Sequence, residues 1–333
     1  MASGSAPSYD PPVPDAQQRS RIPLELIVFV VGASSLGAEI AAARMLAPFF
    51  GASTVVWANT IATVLLALAA GYWIGGRVAD KRPDPSGLAV IVLVSSVLFA
   101  LLPFVADPVL RVAISALDSL SAGAFLGSLI GVMVLVAVPI ALLGAAAPYA
   151  LRLRIDRVED SGKISGRLYG ISTAGSLAGV FLAALVLVPL VGTRRTFLCF
   201  ALALALVAVP NLKRWFLAVP VVIALLLFIP VGTVKGIEGS GARVIYEADT
   251  QYQYARVVEA SDGTRTLELN EGQAVHSIKR PGSYLTNNYW DEMVAATYTG
   301  RYEPPRSVAI LGNAAGTVAR ALGKFTPKTE IVG

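Results

Sequence analysis

The residue types and spacing most suited to chemistry lie near the C-terminal end, in Gly312-Asn313-Ala314-Ala315-Gly316-Thr317. An apolar strand, Ser307 to Leu311, precedes them; a helical run, Val318 to Lys324, follows, and Thr329 to Val332 starts another strand. Glycine lets a backbone turn sharply and lie against a ligand, and the N-terminus of the next helix favours electronegative groups. A purely structural turn is the other reading. Glu39, inside the first long apolar run, is a second candidate, because an ionisable group at membrane depth is costly and usually faces a partner or a cavity. It reads either as a polar site for a cationic ligand or as a pair with Arg44 reaching toward one interface. His276 and Cys199 are the sole histidine and cysteine, which excludes His-rich metal sites, a zinc–cysteine cluster and an internal disulfide, and disfavours a Ser–His triad. His276 itself reads as a polar contact in a pocket between two lobes or as a solvated side chain beside a turn.

The elements that must position these residues are unusually apolar. Of 333 residues, 55% are hydrophobic and 15% charged, whereas soluble domains carry about 25% charged residues. Residues 1–231 hold 16 Lys and Arg against 11 Asp and Glu, and residues 232–333 hold 11 of each, so the whole net charge of +5 belongs to the first part. Those basic residues sit between apolar runs and form no continuous patch, which argues against nucleic acid as a partner. Residues 1–22, rich in Pro, Ser, Ala and Asp, read as a disordered tail. Apolar segments then recur at 24–46, 55–79, 87–106, 122–147, 169–191, 195–210 and 215–231. A crossing helix needs about 20 such residues. The pattern predicts an α-helical polytopic membrane domain over 23–231 with about seven spans, the last two short.

One set of connecting segments carries twelve Lys and Arg (Arg19, Arg21, Arg77, Lys81, Arg82, Arg152, Arg154, Arg157, Lys163, Arg167, Lys213, Arg214), and the opposite set carries Arg111, Arg194 and Arg195. The excess of positive charge on cytoplasmic loops puts the N-terminus in the cytoplasm of a multi-pass cell-membrane protein. Seven crossings would leave residues 232–333 outside; one crossing fewer would leave them inside. Small residues recur at four-residue spacing in Gly71/Gly75, Gly123/Gly127/Gly131, Gly166/Gly170 and Gly175/Gly179, a pattern that lets helix backbones approach closely, within one chain or in a homodimer.

After Gly232 the composition shifts to period-two strands: 243–260, the turn Ser261-Asp262-Gly263-Thr264, the return strand Arg265 to Leu269, a second turn at Asn270-Glu271-Gly272, and a short strand through His276. Residues 286–299 read as a helix with Thr286 as cap. Residues 232–300 are thus predicted to form a small antiparallel β lobe, and 301–333 the first β-α-β of a doubly wound α/β, Rossmann-like domain. Such a domain needs several more strands, so the chain reads as the front part of a longer protein.

Several stretches together resemble the membrane-attached polyamine aminopropyltransferases, the spermidine-synthase-like proteins. In the apolar part these are Ala43 to Gly51, Gly71 to Asp80, Gly166 to Gly170 and Thr173 to Ser176. In the polar part they are Tyr246-Glu247, Thr250 to Gln253, Leu269 to Gly272, Trp290 to Met293 and the glycine turn. The resemblance covers roughly residues 24–333. It implies transfer of an aminopropyl group from decarboxylated S-adenosylmethionine, a co-substrate rather than a cofactor, to an amine such as putrescine, with methylthioadenosine released. The lipid bilayer, a small amine and a nucleoside ligand are the implied partners, and no metal is expected.

Residue by residue, the resemblance makes Gln253 a contact to the nucleoside and sets Gly312 and Gly316 against the methionine-derived part. Asn313 and Thr317 fall in the same turn as donors of polar contacts. The family's turn aspartate corresponds to Ala315, and its Tyr-His-Glu stretch reads Trp290-Asp291-Glu292. Asp291 or Glu292 is therefore the expected holder of the amine, unless the two are a surface pair at a helix end. His276 stands near a position where the family often has glutamine. The ribose-binding acid and the aspartate base would lie past Gly333, so residues 1–333 alone are expected to lack catalysis. A membrane transport or binding module for polyamines or related cations, with a non-catalytic lobe, is the competing reading. A methyltransferase would share the glycine turn but not the preceding strands with Gln253.

Overall fold

A computed structural model describes residues 20–117, 123–155, 157–229, 241–250, 252–270, 272, 274–300 and 302–333. Most of the disordered-tail expectation, residues 1–19, lies outside them. Ser20 and Arg21 are ordered against the bundle: the Arg21 amide donates to the side-chain oxygen of Asn211 at 2.8 Å.

The described residues up to 229 are mainly helical. Helices α1 (Leu24–Phe50), α2 (Thr54–Lys81) and α3 (Pro85–Leu117) are separated by tight connections whose chemistry is local. Gly51, at φ 79°, ends α1, and the Ser53 hydroxyl caps α2 by accepting from the Val56 amide at 3.3 Å. Pro85 opens α3 at a position where a missing N–H costs nothing. Two longer runs follow, α4 (Gly123–Val132) with α5 (Val138–Arg154), and α6 (Ser161–Phe181) with α7 (Val188–Ala208). Each is joined by a π-helical stretch, Met133–Ala137 and Leu182–Leu187, lying just before Pro139 and Pro189. Proline donates no amide hydrogen bond to the carbonyl one turn earlier, and a widened turn absorbs that mismatch.

Among the described residues, five helices are long and apolar enough to cross a membrane: Leu24–Phe50, Thr54–Lys81, Pro85–Ser115, Phe125–Arg154 and Val158–Asn211. The seven apolar segments of the sequence map onto these differently from expectation. The fifth run has 54 residues, about 80 Å if straight, and it is broken at Gly192, whose φ of 80° and ψ of 163° are non-helical. The chain turns back there, because Arg167 reaches Glu25 at 3.4 Å and Asn211 reaches Arg21, both at the start of α1. The last apolar helix, Arg214–Leu226, is short; it includes α8 (Ala218–Leu226).

Helix α1 is the hub. Its Phe29 and Ala33 carbonyls face Gly175 and Gly179 of α6, and its Gly37 faces the Phe200 ring of α7. Gly71 and Gly75 of α2 lie likewise against Ala141 and Ala145 of α5. Buried hydroxyls tie α3 across the bundle: Ser95 donates to the Pro139 carbonyl at 2.9 Å, and Ser96 to that of Ala201 at 2.7 Å. Small contact residues with interhelical hydrogen bonds are how helices associate in lipid, where apolar burial drives nothing. The outer faces stay apolar, as with Leu66, 64% exposed, and Leu190, 77% exposed.

The polar part is a four-stranded antiparallel meander, β1 (Arg243–Asp249), β2 (Tyr254–Glu259), β3 (Arg265–Leu269) and β4 (Val275–Lys279), followed by α9 (Tyr289–Ala296). Strand β2 alternates buried Tyr254, Arg256 and Val258 with half-buried neighbours. Two parallel strands, β5 (Ser307–Ala309) and β6 (Glu330–Val332), flank α10 (Thr317–Phe325). This is a β-α-β unit, with strands shorter than the apolar runs that announce them. The meander rests on the bundle: Arg44 donates to the Thr250 carbonyl at 2.8 Å, and the Thr193 amide donates to Asp249 at 3.1 Å. Arg44, paired with Glu39 in one reading of the sequence, is thus a tie to the lobe.

Candidate functional site

The glycine turn is built by three left-handed residues, Gly312, Ala314 and Gly316, at φ 84°, 46° and 80°. Gly316 closes it by donating to the Asn313 carbonyl at 2.8 Å and leads directly into α10. The turn is fastened to strand β4. The Ala315 amide donates to the Ser277 hydroxyl at 2.9 Å, and the Thr317 hydroxyl accepts from the Ile278 amide at 2.9 Å while lying 3.2 Å from the Ile278 carbonyl. Thr317 is 4% exposed, so its hydroxyl is spent on holding the helix to the sheet. Asn313 keeps a buried side-chain oxygen without a partner among the described residues. A buried acceptor left open is unusual in a folded protein.

His276 lies next to Ser277 in β4, and its ring nitrogen Nδ1 lies 3.0 Å from the Ala274 carbonyl of the same segment. It is also the extra residue of a bulge: Ser277 pairs with Leu267 and Val275 with Glu268, leaving His276 unpaired. Bulges re-aim side chains and are common beside active sites. Gln253 ends the hairpin turn between β1 and β2. The Thr250 hydroxyl organises that turn, accepting from the Gln253 amide at 3.1 Å and donating to its carbonyl at 2.8 Å. The Gln253 side chain is half-buried and makes no hydrogen bond with the described residues. The pairing of β2, β3 and β4 sets Tyr254, Leu269 and Val275 at one end of the sheet, which gathers Gln253, Asn270 and His276 there.

In the sequence Asn270 reads as part of the turn Asn270-Glu271-Gly272, with no role of its own. It sits at φ 51°, donates its amide to the Tyr254 carbonyl at 2.8 Å, and holds a second buried side-chain oxygen without a partner among the described residues. Asparagine tolerates this conformation better than most residues, which is the one signal the sequence offered. Next to it, Gly272 passes over a buried ion pair. Arg256 reaches Glu268 at 2.6 Å, and a Cβ on Gly272 would meet Glu268 at 2.8 Å. Tyr254 is 1% exposed and donates to Glu247 at 2.9 Å; burial, then the Glu247 charge, pushes its phenol far up, so it stays protonated.

The acidic pair divides into two roles. Asp291 is the third residue of α9, and its carboxylate reaches back to accept from the Thr286 amide and hydroxyl at 2.9 Å and the Asn287 amide at 2.7 Å. The helix therefore starts at Tyr289, capped by Asn288, and Thr286 is held by Asp291 instead of capping. Burial alone would raise the Asp291 carboxyl, but the bonds from Thr286, Asn287 and Asn288 outweigh it and hold the group below its usual range. A depressed folded value means that its stabilisation is present above the ordinary value of 3.8 and is lost as pH falls through the folded one. Asp291→Ala is expected to cost about 1 kcal/mol at neutral pH, as for a lost cap. It should also flatten the acid-side fall in lobe stability; urea unfolding at neutral and acid pH measures both. Glu292, one residue on, is exposed and free of such bonds.

Among the described residues, no group of three or more His, Cys, Asp or Glu is placed to hold a metal ion. The chain is 30% identical over 115 residues to a probable polyamine aminopropyl transferase of Bifidobacterium longum (strain NCC 2705). The match takes in 34% of this chain and 25% of that protein, so the chain spans about a quarter of its relative's length. No protein-family model and no solved structure matches.

Proposed function

We propose that the chain belongs to a membrane-anchored aminopropyltransferase acting on decarboxylated S-adenosylmethionine and an amine such as putrescine. The observation that carries this reading is the 30% identity to a protein named for that activity. The lobe's geometry supports it: a left-handed glycine turn opening a helix, fastened beside a bulged strand. In the reaction the amine nitrogen attacks the carbon next to the sulfonium. The carbon–sulfur bond breaks, methylthioadenosine leaves, and the nitrogen gives up a proton. A sulfonium is already a good leaving group, so the protein's main task is to position a neutral amine.

In this reading Gln253 and the turn residues Gly312, Asn313 and Gly316 receive the nucleoside ligand, with Thr317 fixing the helix behind them. Glu292 and His276 face the amine, and Asp291 shapes the 286–288 loop that leads into the helix carrying Glu292. Ala315, where the family has an aspartate, leaves the amine one charged contact short and favours the competing reading of a polyamine binding or transport module. One assay separates the two. The full-length protein in detergent, given the sulfonium donor and a panel of amines, is expected to release methylthioadenosine with one of them. Gln253→Ala should raise the donor KM about tenfold, the worth of one hydrogen bond. Folded protein that releases none with any amine would make the lobe a binding module.

A further inference from the structure

We infer that the polar lobe, residues 241–333, lies on the face of the membrane opposite the cytoplasm and takes its ligands from that face. The side of the lobe rests on the helices crossing a bilayer, and the nature of its ligands on the proposed function. Two ends of the bundle are defined by contacts. At one end Glu25 meets Arg154 and Arg167, Asp80 meets Arg152, and Asn211 meets Arg21. At the other end Arg44 holds the Thr250 carbonyl and the Thr193 amide holds Asp249. Glu25 and Arg44 are both in α1, about 28 Å apart along a helix, close to the thickness of a hydrocarbon core.

The basic residues separate the same way. Every described member of the large Lys and Arg set belongs to the Glu25 end. Among the described residues that connect the helices, the lobe end has Arg111, Arg194 and Arg195 besides Arg44, which is bound to the lobe. An excess of Lys and Arg near helix ends marks the cytoplasmic side. The lobe docks at the poor end through two segments far apart in sequence, so its side does not depend on the short helix Arg214–Leu226 crossing alone. A permanently charged sulfonium or a polyamine does not pass hydrocarbon unaided. An export or release step must therefore deliver the lobe's substrates on the outer face.

The test is cysteine labelling of the full chain in intact cells with a membrane-impermeant maleimide. Ser261→Cys lies in the exposed turn between β2 and β3, and Lys163→Cys in the exposed start of α6. The parent chain, with Cys199 inside α7, serves as control. Ser261→Cys is expected to label in intact cells, and Lys163→Cys only after permeabilisation. Protection of Ser261→Cys, or equal labelling of both sites before permeabilisation, overturns the inference. Carbonate extraction reports separately whether the chain spans the membrane at all. The methylthioadenosine assay in detergent is blind to sidedness, so it can fail or succeed independently.

Discussion

Arg256→Met is expected to destabilise the polar lobe by about 3–5 kcal/mol, because it removes one partner of a largely buried ion pair and leaves the Glu268 carboxyl without it. Their side chains are 10% and 15% exposed, and the guanidinium meets the carboxylate through two nitrogens at 2.8 and 2.6 Å. Typical domains have about 5–15 kcal/mol of total stability, so the lobe would be close to unfolded. The double variant Arg256→Met with Glu268→Leu should recover most of the loss, since neither charge then needs a partner. Limited proteolysis of the lobe, with denaturant unfolding of the full chain, distinguishes the variants. A double variant as labile as the single one would mean that packing of the arginine stem, not the orphaned charge, sets the cost.

The second large effect concerns the bundle. Gly179→Val is expected to abolish recovery of folded protein in detergent, because its side chain would fall on the Ala33 carbonyl of α1. Overpacking against a side chain typically costs about 1–3 kcal/mol, and a backbone atom has no rotamer by which to yield. Gly170→Ala, on the same helix, has nothing within 4 Å and should be neutral or stabilising by up to about 1 kcal/mol. Size-exclusion profiles and thermal melts in one detergent compare them. Equal behaviour of the two variants would remove the α1–α6 contact as the organising interface.

Much of this was legible in the chain. The apolar runs, the Ser261–Thr264 turn and the strand–turn–helix around Gly312 all follow from short-range rules. One boundary differs because of a side chain five residues on: Thr286 reads as a cap, but the Asp291 carboxylate draws the 286–288 backbone into a loop and Asn288 caps α9. The acidic pair likewise looked uniform in sequence, and only the folded loop spends Asp291 while leaving Glu292 exposed.

By itself, then, the amino-acid sequence determined a helical apolar part, a basic and a non-basic set of helix ends, and a stranded polar part ending in a glycine turn. These depend on hydrophobic run length, charge and backbone sterics, which neighbouring residues specify among themselves. The tertiary structure alone decided which glycines are packed. Gly166/Gly170 and Gly175/Gly179 share one spacing, yet only the second pair meets α1. It also decided that Arg44 joins Thr250, 206 residues away, and that Arg256 pairs with Glu268 across the ladder. Such partners follow from which faces come together, and periodicity along one segment carries no record of the face opposite it.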